Sequence, residues 1–375
     1  MKLLVIGLGQ CGGNITDVFV QINKRARRHR GIEIVTGAYA VNTDLGDLSR
    51  LSKVKSDYRH RIVIGELKAG GHGVGMESEL GADIAKEDAD KVIDAIRSTP
   101  HFFETDAFLL IAGAAGGTGS GELPIITQLI KERYVGKPVY NLIVLPFEHE
   151  EQTERKTIYN SAKCLKSANA VADAIFLVDN ERYVTKNSTL RQNLNKVNAL
   201  VVEPFYNILC AGEEKKAKYL GGRVLDAGDI VQTITGWTAI GYGRSQLSFF
   251  RFPFGVSQDS GDKDNEARQQ TEAMDQAIRE LSFGCDPADA ARALYLVSAP
   301  AREINITIIQ KFGEQLRSLI PQATIRNGDY PRGKRALEIS LILSQLRSVE
   351  KVERYYADAS DFASKAEKKQ ERAKD

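Results

Sequence analysis

Residues 107–133 read AFLLIAGAAGGTGSGELPIITQLIKER: an unbroken apolar run, then five glycines within nine residues, then an amphipathic stretch. The first part has the length and composition of a strand buried on both faces, and the last has helical spacing. Between them, glycine lets backbone N–H groups turn inward at φ values other residues avoid, and the hydroxyls of Thr118 and Ser120 add donors for anionic oxygens. A helix N-terminus behind the turn contributes about half a positive charge. The segment is built as a phosphate cradle. A Gly/Ser linker shares the composition, but linkers do not join a buried strand to an amphipathic helix.

A second glycine turn opens the chain. In MKLLVIGLGQCGGNI, residues 1–15, Gly7, Gly9 and Gly12 satisfy the G-x-G-x-x-G spacing of a dinucleotide site, which alone would suggest a nicotinamide-dependent oxidoreductase. A dinucleotide fold, however, needs only its first glycine turn for the pyrophosphate. Two turns imply a longer phosphate chain. The G-x-x-x-x-G-K-[ST] loop is absent, so phosphate binding would rest on main-chain amides and helix ends.

At 375 residues the chain exceeds the size at which one core stops growing, and two packed units are expected. A composition 42% hydrophobic and 27% charged marks neither disorder nor membrane burial. Fifty-one basic against 49 acidic residues leave +2, no general field for nucleic acid or anionic lipid, so neither nucleic acid nor direct membrane insertion is expected. The basic run Asn23–Arg30 reads as a solvated helix end. Four cysteines and five histidines are scattered without metal-ligand spacing, which gives no direct metal site and free thiols suited to a reducing compartment. The apolar run before the first glycine is too short for export, and the expected location is the cytoplasm.

Over residues 1–185, strand-like segments (Lys2–Ile6, Ile32–Val41, Ala107–Ala112, Val139–Leu145, Ala174–Val178) alternate with helical ones, the pattern of a parallel sheet covered on both faces. Residues 186–230 hold a long helix, roughly Leu190 to Cys210, which Pro204 is expected to kink or break near Leu200. Residues 231–350 supply strands (Trp237–Gly243, Ala293–Ser298, Leu337–Leu343) and helices (Glu266–Leu281, Glu303–Leu319) for a smaller α+β domain, with Arg251–Asn265 an exposed loop. Residues 351–375 read as a charged tail, fraying from Ala363.

At this point the residues carry a family resemblance. GGTGSG at 116–121 resembles the signature loop of the tubulin/FtsZ superfamily, and GQCGGN at 9–14 its first nucleotide loop in tubulin-like form. Asn42-Thr43-Asp44, Ala69-Gly70-Gly71-His72 and Pro146-Phe147-Glu148-His149-Glu150 resemble three further loops, the last contacting ribose through Glu150. After that acid, Glu151 replaces the glycine usual in FtsZ, and Arg155 comes one residue later than the family's arginine. Asn180 and Asn198 match the positions that read guanine, for which an amide offers both donor and acceptor. The resemblance implies an α/β fold in which a Rossmann-like parallel-sheet GTPase domain is joined by a long central helix to the smaller domain. It also implies a GTP/GDP site formed by Gly9, Gln10, Cys11, Gly12, Gly13, Asn14, Asn42, Asp44, Gly70, Gly71, Ala115, Gly116, Gly117, Thr118, Gly119, Ser120, Glu150, Asn180 and Asn198. Mg²⁺ would be carried by the β- and γ-phosphates, with Gln10 and Asp44 in its outer shell.

The hydrolytic groups lie elsewhere. GRVLDAGDI at 222–230 resembles the superfamily's synergy loop, whose two acids enter the nucleotide site of the next subunit. Their spacing places Asp226 and Asp229 on one side of a helix start, where the plain reading is an N-cap and a dipole-favouring acid. A carboxylate titrating near 3.9 is a poor base at neutral pH, so the implied role is to orient and polarise water. Turnover would then need head-to-tail contact between copies, and such contacts grow into filaments when they do not close. Lateral contacts are expected through 251–265. Without FtsZ's anchoring peptide or tubulin's acidic tail, the chain looks most like the archaeal CetZ group, which implies a cytoskeletal GTPase concerned with cell shape. A division GTPase of FtsZ type and a non-polymerising GTP switch are the alternatives.

Overall fold

The computed structural model describes residues 1–184, 190–247 and 271–371, with the side chains of 190–196 and 362–371 excepted. The opening apolar run forms β1 (Leu3–Leu8), which passes directly into α1 (Gly9–Arg30). β2 (Val35–Asn42), α2 (Leu45–Arg50), β3 (Arg61–Val63), α3 (Glu66–Ala69) and α4 (Ser78–Arg97) follow. β4 (Ala107–Gly113) runs into α5 (Thr118–Arg133), and then come β5 (Val139–Leu145), α6 (Glu148–Thr153), α7 (Arg155–Val171) and β6 (Ala174–Asp179). The long α8 (Leu190–Ala211) leads to α9 (Ala227–Thr233), β7 (Gly236–Gln246) and α10 (271–279). The rest is β8 (Ala290–Ala299), α11 (Ile306–Leu319), β9 (Thr324–Pro331), β10 (Ala336–Leu346) and α12 (Glu350–Glu371).

Among the described residues ten strands share one sheet, in the order β3-β2-β1-β4-β5-β6-β7-β10-β8-β9. Only β10 runs against its neighbours. The parallel pairing of Ala174–Phe176 with Gly236–Thr238 makes the strands expected in a second unit a continuation of the first sheet. Along β1 every residue is buried and successive side chains feed opposite cores. Leu4 and Ile6 join Ile84, Leu110 and Leu123 on one face, while Leu3 and Val5 join Phe19, Leu109 and Phe205 on the other.

Several sequence expectations change here. β2 begins at Val35 rather than Ile32, and α11 at Ile306, because the Asn305 side chain accepts from Ile308 N (2.9 Å) and caps it there. α8 continues without a break through Pro204. Leu200, whose carbonyl loses its donor, is 39% exposed, so water can replace it. The basic run is only partly solvated: Arg25 pairs with Glu203 (2.7 Å) and stacks on Tyr206, and buried Arg30 stacks on Tyr219. The segment read as a charged tail starts as α12, which packs on α7. Residues 251–265, the expected lateral loop, lie outside the described residues, as does the start of the helix expected from Glu266.

α8 fixes what lies where. It contacts the turn Asn180–Tyr183 that follows β6. Its end meets the other edge of the sheet, where the Met1 nitrogen donates to the Leu209 carbonyl (3.3 Å) and pairs with Glu213 (2.8 Å). Twenty-two helical residues span about 33 Å.

Candidate nucleotide site

Because β1 and β4 are neighbours, their carboxyl ends deliver both glycine turns to one place. A Cβ on Gly9 (φ +68°) would lie 3.0 Å from Gly119 N, and one on Gly119 would lie 2.7 Å from the Leu8 carbonyl oxygen. A Cβ on Gly12 would run into the Ile111 carbonyl. Only glycine permits this approach. Gly116, in contrast, has nothing near its Cβ position and borders open space. Neither α1 nor α5 has a side-chain cap or an acid in its first turn. Two sets of unpaired N–H groups and two positive dipole ends therefore converge, an arrangement that suits a phosphate chain.

The two hydroxyls expected to donate outward are used inside the protein. Thr118 Oγ1 bonds Thr43 Oγ1 (2.7 Å), tying the β4 turn to the Asn42–Asp44 loop, and Ser120 Oγ donates to the Gly116 carbonyl. Asn160, buried on α7, was not legible as a site residue; its amide donates to the Ala115 and Met76 carbonyls (both 2.9 Å) and fixes the outer wall of the turn. Glu122, one turn further along α5, is fully buried with neither carboxylate oxygen bonded, and burial pushes its carboxyl well above the usual range.

Several of the other expected residues lie on the neighbouring loops and helices. Gly70 (φ +59°) and Gly71 (φ +79°) take left-handed conformations, and Leu45 N donates to the Gly71 carbonyl (3.0 Å). Asp44 caps α2 by accepting from Asp47 N (2.8 Å), and Gln10 Nε2 donates to Asp47 Oδ1 (2.8 Å). Gln10 and Asp44 thus meet on Asp47, an acid the sequence reading passed over. Asn42 is buried and accepts from Asp44 N (3.3 Å), whereas Asn14 is exposed on α1. Gly13 faces the Leu51 side chain. Cys11 lies against Gly113, and burial followed by the nearby Glu150 carboxylate pushes its thiol up to about 12. Glu150 therefore borders the cradle, with Oε2 accepting from Phe147 N (2.9 Å) at the start of α6. Asn180 is buried at the end of β6 and Asn198 half-buried on α8; Arg155 is exposed at the start of α7.

Asp226 and Asp229 are not at this edge. Asp226 caps α9, its Oδ1 accepting from Asp229 N (2.7 Å), and Asp229 pairs with Arg326 of β9, a partner that sequence spacing could not reveal. Arg326 also donates to Gln232 Oε1 (2.5 Å). The stretch leading into α9 is held on β9 by Asp329, which accepts from Gly222 N (3.0 Å) and Arg223 N (2.6 Å) and donates its own N–H to the Arg223 carbonyl (3.0 Å). The Ile230 side chain of α9 lies against Gly212, itself beside the Met1 nitrogen. The acids are consequently at the amino edge of the sheet, a strand length of about 20 Å from the glycine turns. No side-chain rearrangement within one chain brings them together.

Residues 2–187 match the family model for the tubulin/FtsZ GTPase domain, and residues 187–361 that for the tubulin-like CetZ C-terminal domain. Tubulin-like protein CetZ1 of Haloferax volcanii is 31% identical over 346 residues, covering 88% of this chain and 84% of its own. CetZ3 of the same organism is 30% identical over 371 residues, covering 96% and 92%. Two solved structures from that organism are similar: the GDP-bound CetZ1 monomer (TM-score 0.82, 28% identity, 97% of this chain and 100% of that one) and the GTPγS-bound CetZ2 protofilament (TM-score 0.81, 26% identity, 98% and 100%). With its glycine turns interlocked at one edge of the sheet and likeness running nearly its whole length, the chain belongs to the tubulin/FtsZ family, in the tubulin-like CetZ group.

Proposed function

We propose that this protein binds GTP, with Mg²⁺ on its phosphates, between the two glycine turns and hydrolyses it where copies meet head to tail in a cytoskeletal filament that shapes the cell. The observation that carries the reading is the separation of the parts: the cradle is at one edge and the acid pair at the other, so a complete site needs a second copy. The protofilament formed by CetZ2 with GTPγS supports the same arrangement. In this reading the main-chain N–H groups of Gly9–Gly13 and Ala115–Gly119 hold the phosphates, Glu150 meets the ribose, and Asn180 and Asn198 read guanine. Gln10 and Asp44 would meet the water shell of the cation, which would supply neutralisation of developing phosphate charge. Asp226 and Asp229 of the neighbour align and polarise the attacking water, the part of phosphoryl transfer that positioning can supply.

The test is GTP hydrolysis per molecule as a function of protein concentration, which should climb as copies associate. Asp229→Ala should retain nucleotide while turnover drops about a hundredfold, the usual cost of removing one preorganised group. A rate per molecule that stays constant on dilution, or full activity in Asp229→Ala, overturns the reading.

A further inference from the structure

Glu151 stands where FtsZ has glycine, and a larger acidic side chain in that place needs a reason. The structure supplies one in α12. The Tyr355 hydroxyl donates to Glu151 Oε1 (2.5 Å), and Arg354 Nη2 pairs with Glu151 Oε2 (2.9 Å). Lys351 Nζ lies 3.3 Å from Glu151 and 2.9 Å from Asp179. Glu151 and Asp179 immediately neighbour Glu150 and Asn180, the residues read above as meeting the ribose and the base. The β5 and β6 loops also join directly, Glu148 N donating to Glu181 Oε2 (3.1 Å).

Charge makes this contact more than a surface bridge. Glu148, Glu150, Glu151, Asp179 and Glu181 gather on these two loops, beside a cradle meant for an anion. Lys351 is shared between two of the carboxylates, and the side chains involved are only 9% (Glu151), 13% (Asp179) and 17% (Lys351) exposed. Removing one partner from so sheltered a group strands the others, whereas an exposed pair would be replaced by water. Burial and the Glu151 carboxylate push the Tyr355 phenol up, which keeps it a donor.

We propose that Lys351 and Tyr355 are positioning residues for the nucleotide. α12 holds the two loops that carry Glu150 and Asn180, so nucleotide binding and α12 docking are coupled. The inference rests on the functional reading given above. Coupling is reciprocal: whatever the docked helix adds to nucleotide affinity, the nucleotide adds to docking.

The test uses the full chain at dilutions where it is monomeric, with GDP as the probe. Lys351→Met combined with Tyr355→Phe should weaken GDP binding about tenfold, within the usual range of such couplings, and restoring charge with Lys351→Arg should recover part of the loss. In the unmodified chain GDP should slow amide exchange of residues 350–361, which no merely structural role of α12 would require. Should the double variant lose its fold, Tyr355→Phe alone removes one hydroxyl and should still weaken GDP measurably. GDP held equally by folded variants, or exchange of 350–361 indifferent to GDP, overturns the coupling while leaving the nucleotide site intact. An unmodified chain that fails to bind GDP removes the functional reading and this inference with it.

Discussion

At the carboxyl edge of the sheet, two glycine turns bring backbone amides together, and Gly12 and Gly119 are packed too closely to admit a methyl group. At the amino edge the groups are side-chain carboxylates on a seven-residue helix, one capping it and the other paired with a single arginine. At those two glycines the first arrangement cannot be changed without changing the fold. The second can be stripped of its chemistry while the fold stands. Under the proposed function, this layout separates what must be rigid, the holding of a charged chain, from what would arrive from another molecule.

The sharpest break in this comparison would come from Gly12→Ala. The new Cβ meets the Ile111 carbonyl, and the fold should lose about 3 kcal/mol or more, read from denaturant unfolding, with nucleotide binding lost as well. Gly116→Ala is its control, since nothing lies near that Cβ: stability should stay within about 0.5 kcal/mol while nucleotide affinity falls. Equal effects at both positions would mean that close packing does not shape the cradle.

The second prediction concerns Glu122. Its carboxyl is raised above the ordinary 4.5 by burial, so the folded chain keeps a proton that the unfolded chain releases as pH rises. Stability should therefore fall with pH above about 4.5 on account of this group. Glu122→Gln should match the unmodified chain near pH 4.5 and become the more stable of the two at higher pH. A gap that does not widen with pH would show that Glu122 ionises freely. The neutral form also places no negative charge behind the phosphate cradle, which an ionised acid would do.

The smallest effect is expected at the other edge. Asp226→Ala removes a helix cap worth about 1 kcal/mol and no other side-chain bond among the described residues, so unfolding should shift by about that amount. A collapse comparable to Gly12→Ala would abolish the contrast between the two edges.

What could be read from the sequence was what is local. Strands buried on both faces, glycine turns between a strand and a helix, and two acids three residues apart each carry their signal within ten residues. β3 is too short to show one, and β9 (TIRNGDYP) reads as a turn because Asn327, Gly328, Asp329 and Pro331 favour turns; pairing with β8 overrides that preference. Arg326 lies 97 residues from Asp229, and Tyr355 lies 204 from Glu151, separations over which no spacing rule operates. The burial of Glu122 was hidden for a related reason: an acid just after a glycine turn looks like a surface residue until the sheet beneath it is known.

The margins of the sheet bear on how copies can join. One outer strand, β3, offers a ladder only three residues long. Along the other, β9, Asp329 engages Gly222 and Arg223 through both backbone and carboxylate. Sideways extension by strand addition, the route to amyloid-like stacking, is thereby blunted at each flank. Under the proposed function, joining of copies would then fall to the two ends of the molecule, where nucleotide turnover could govern how far it runs.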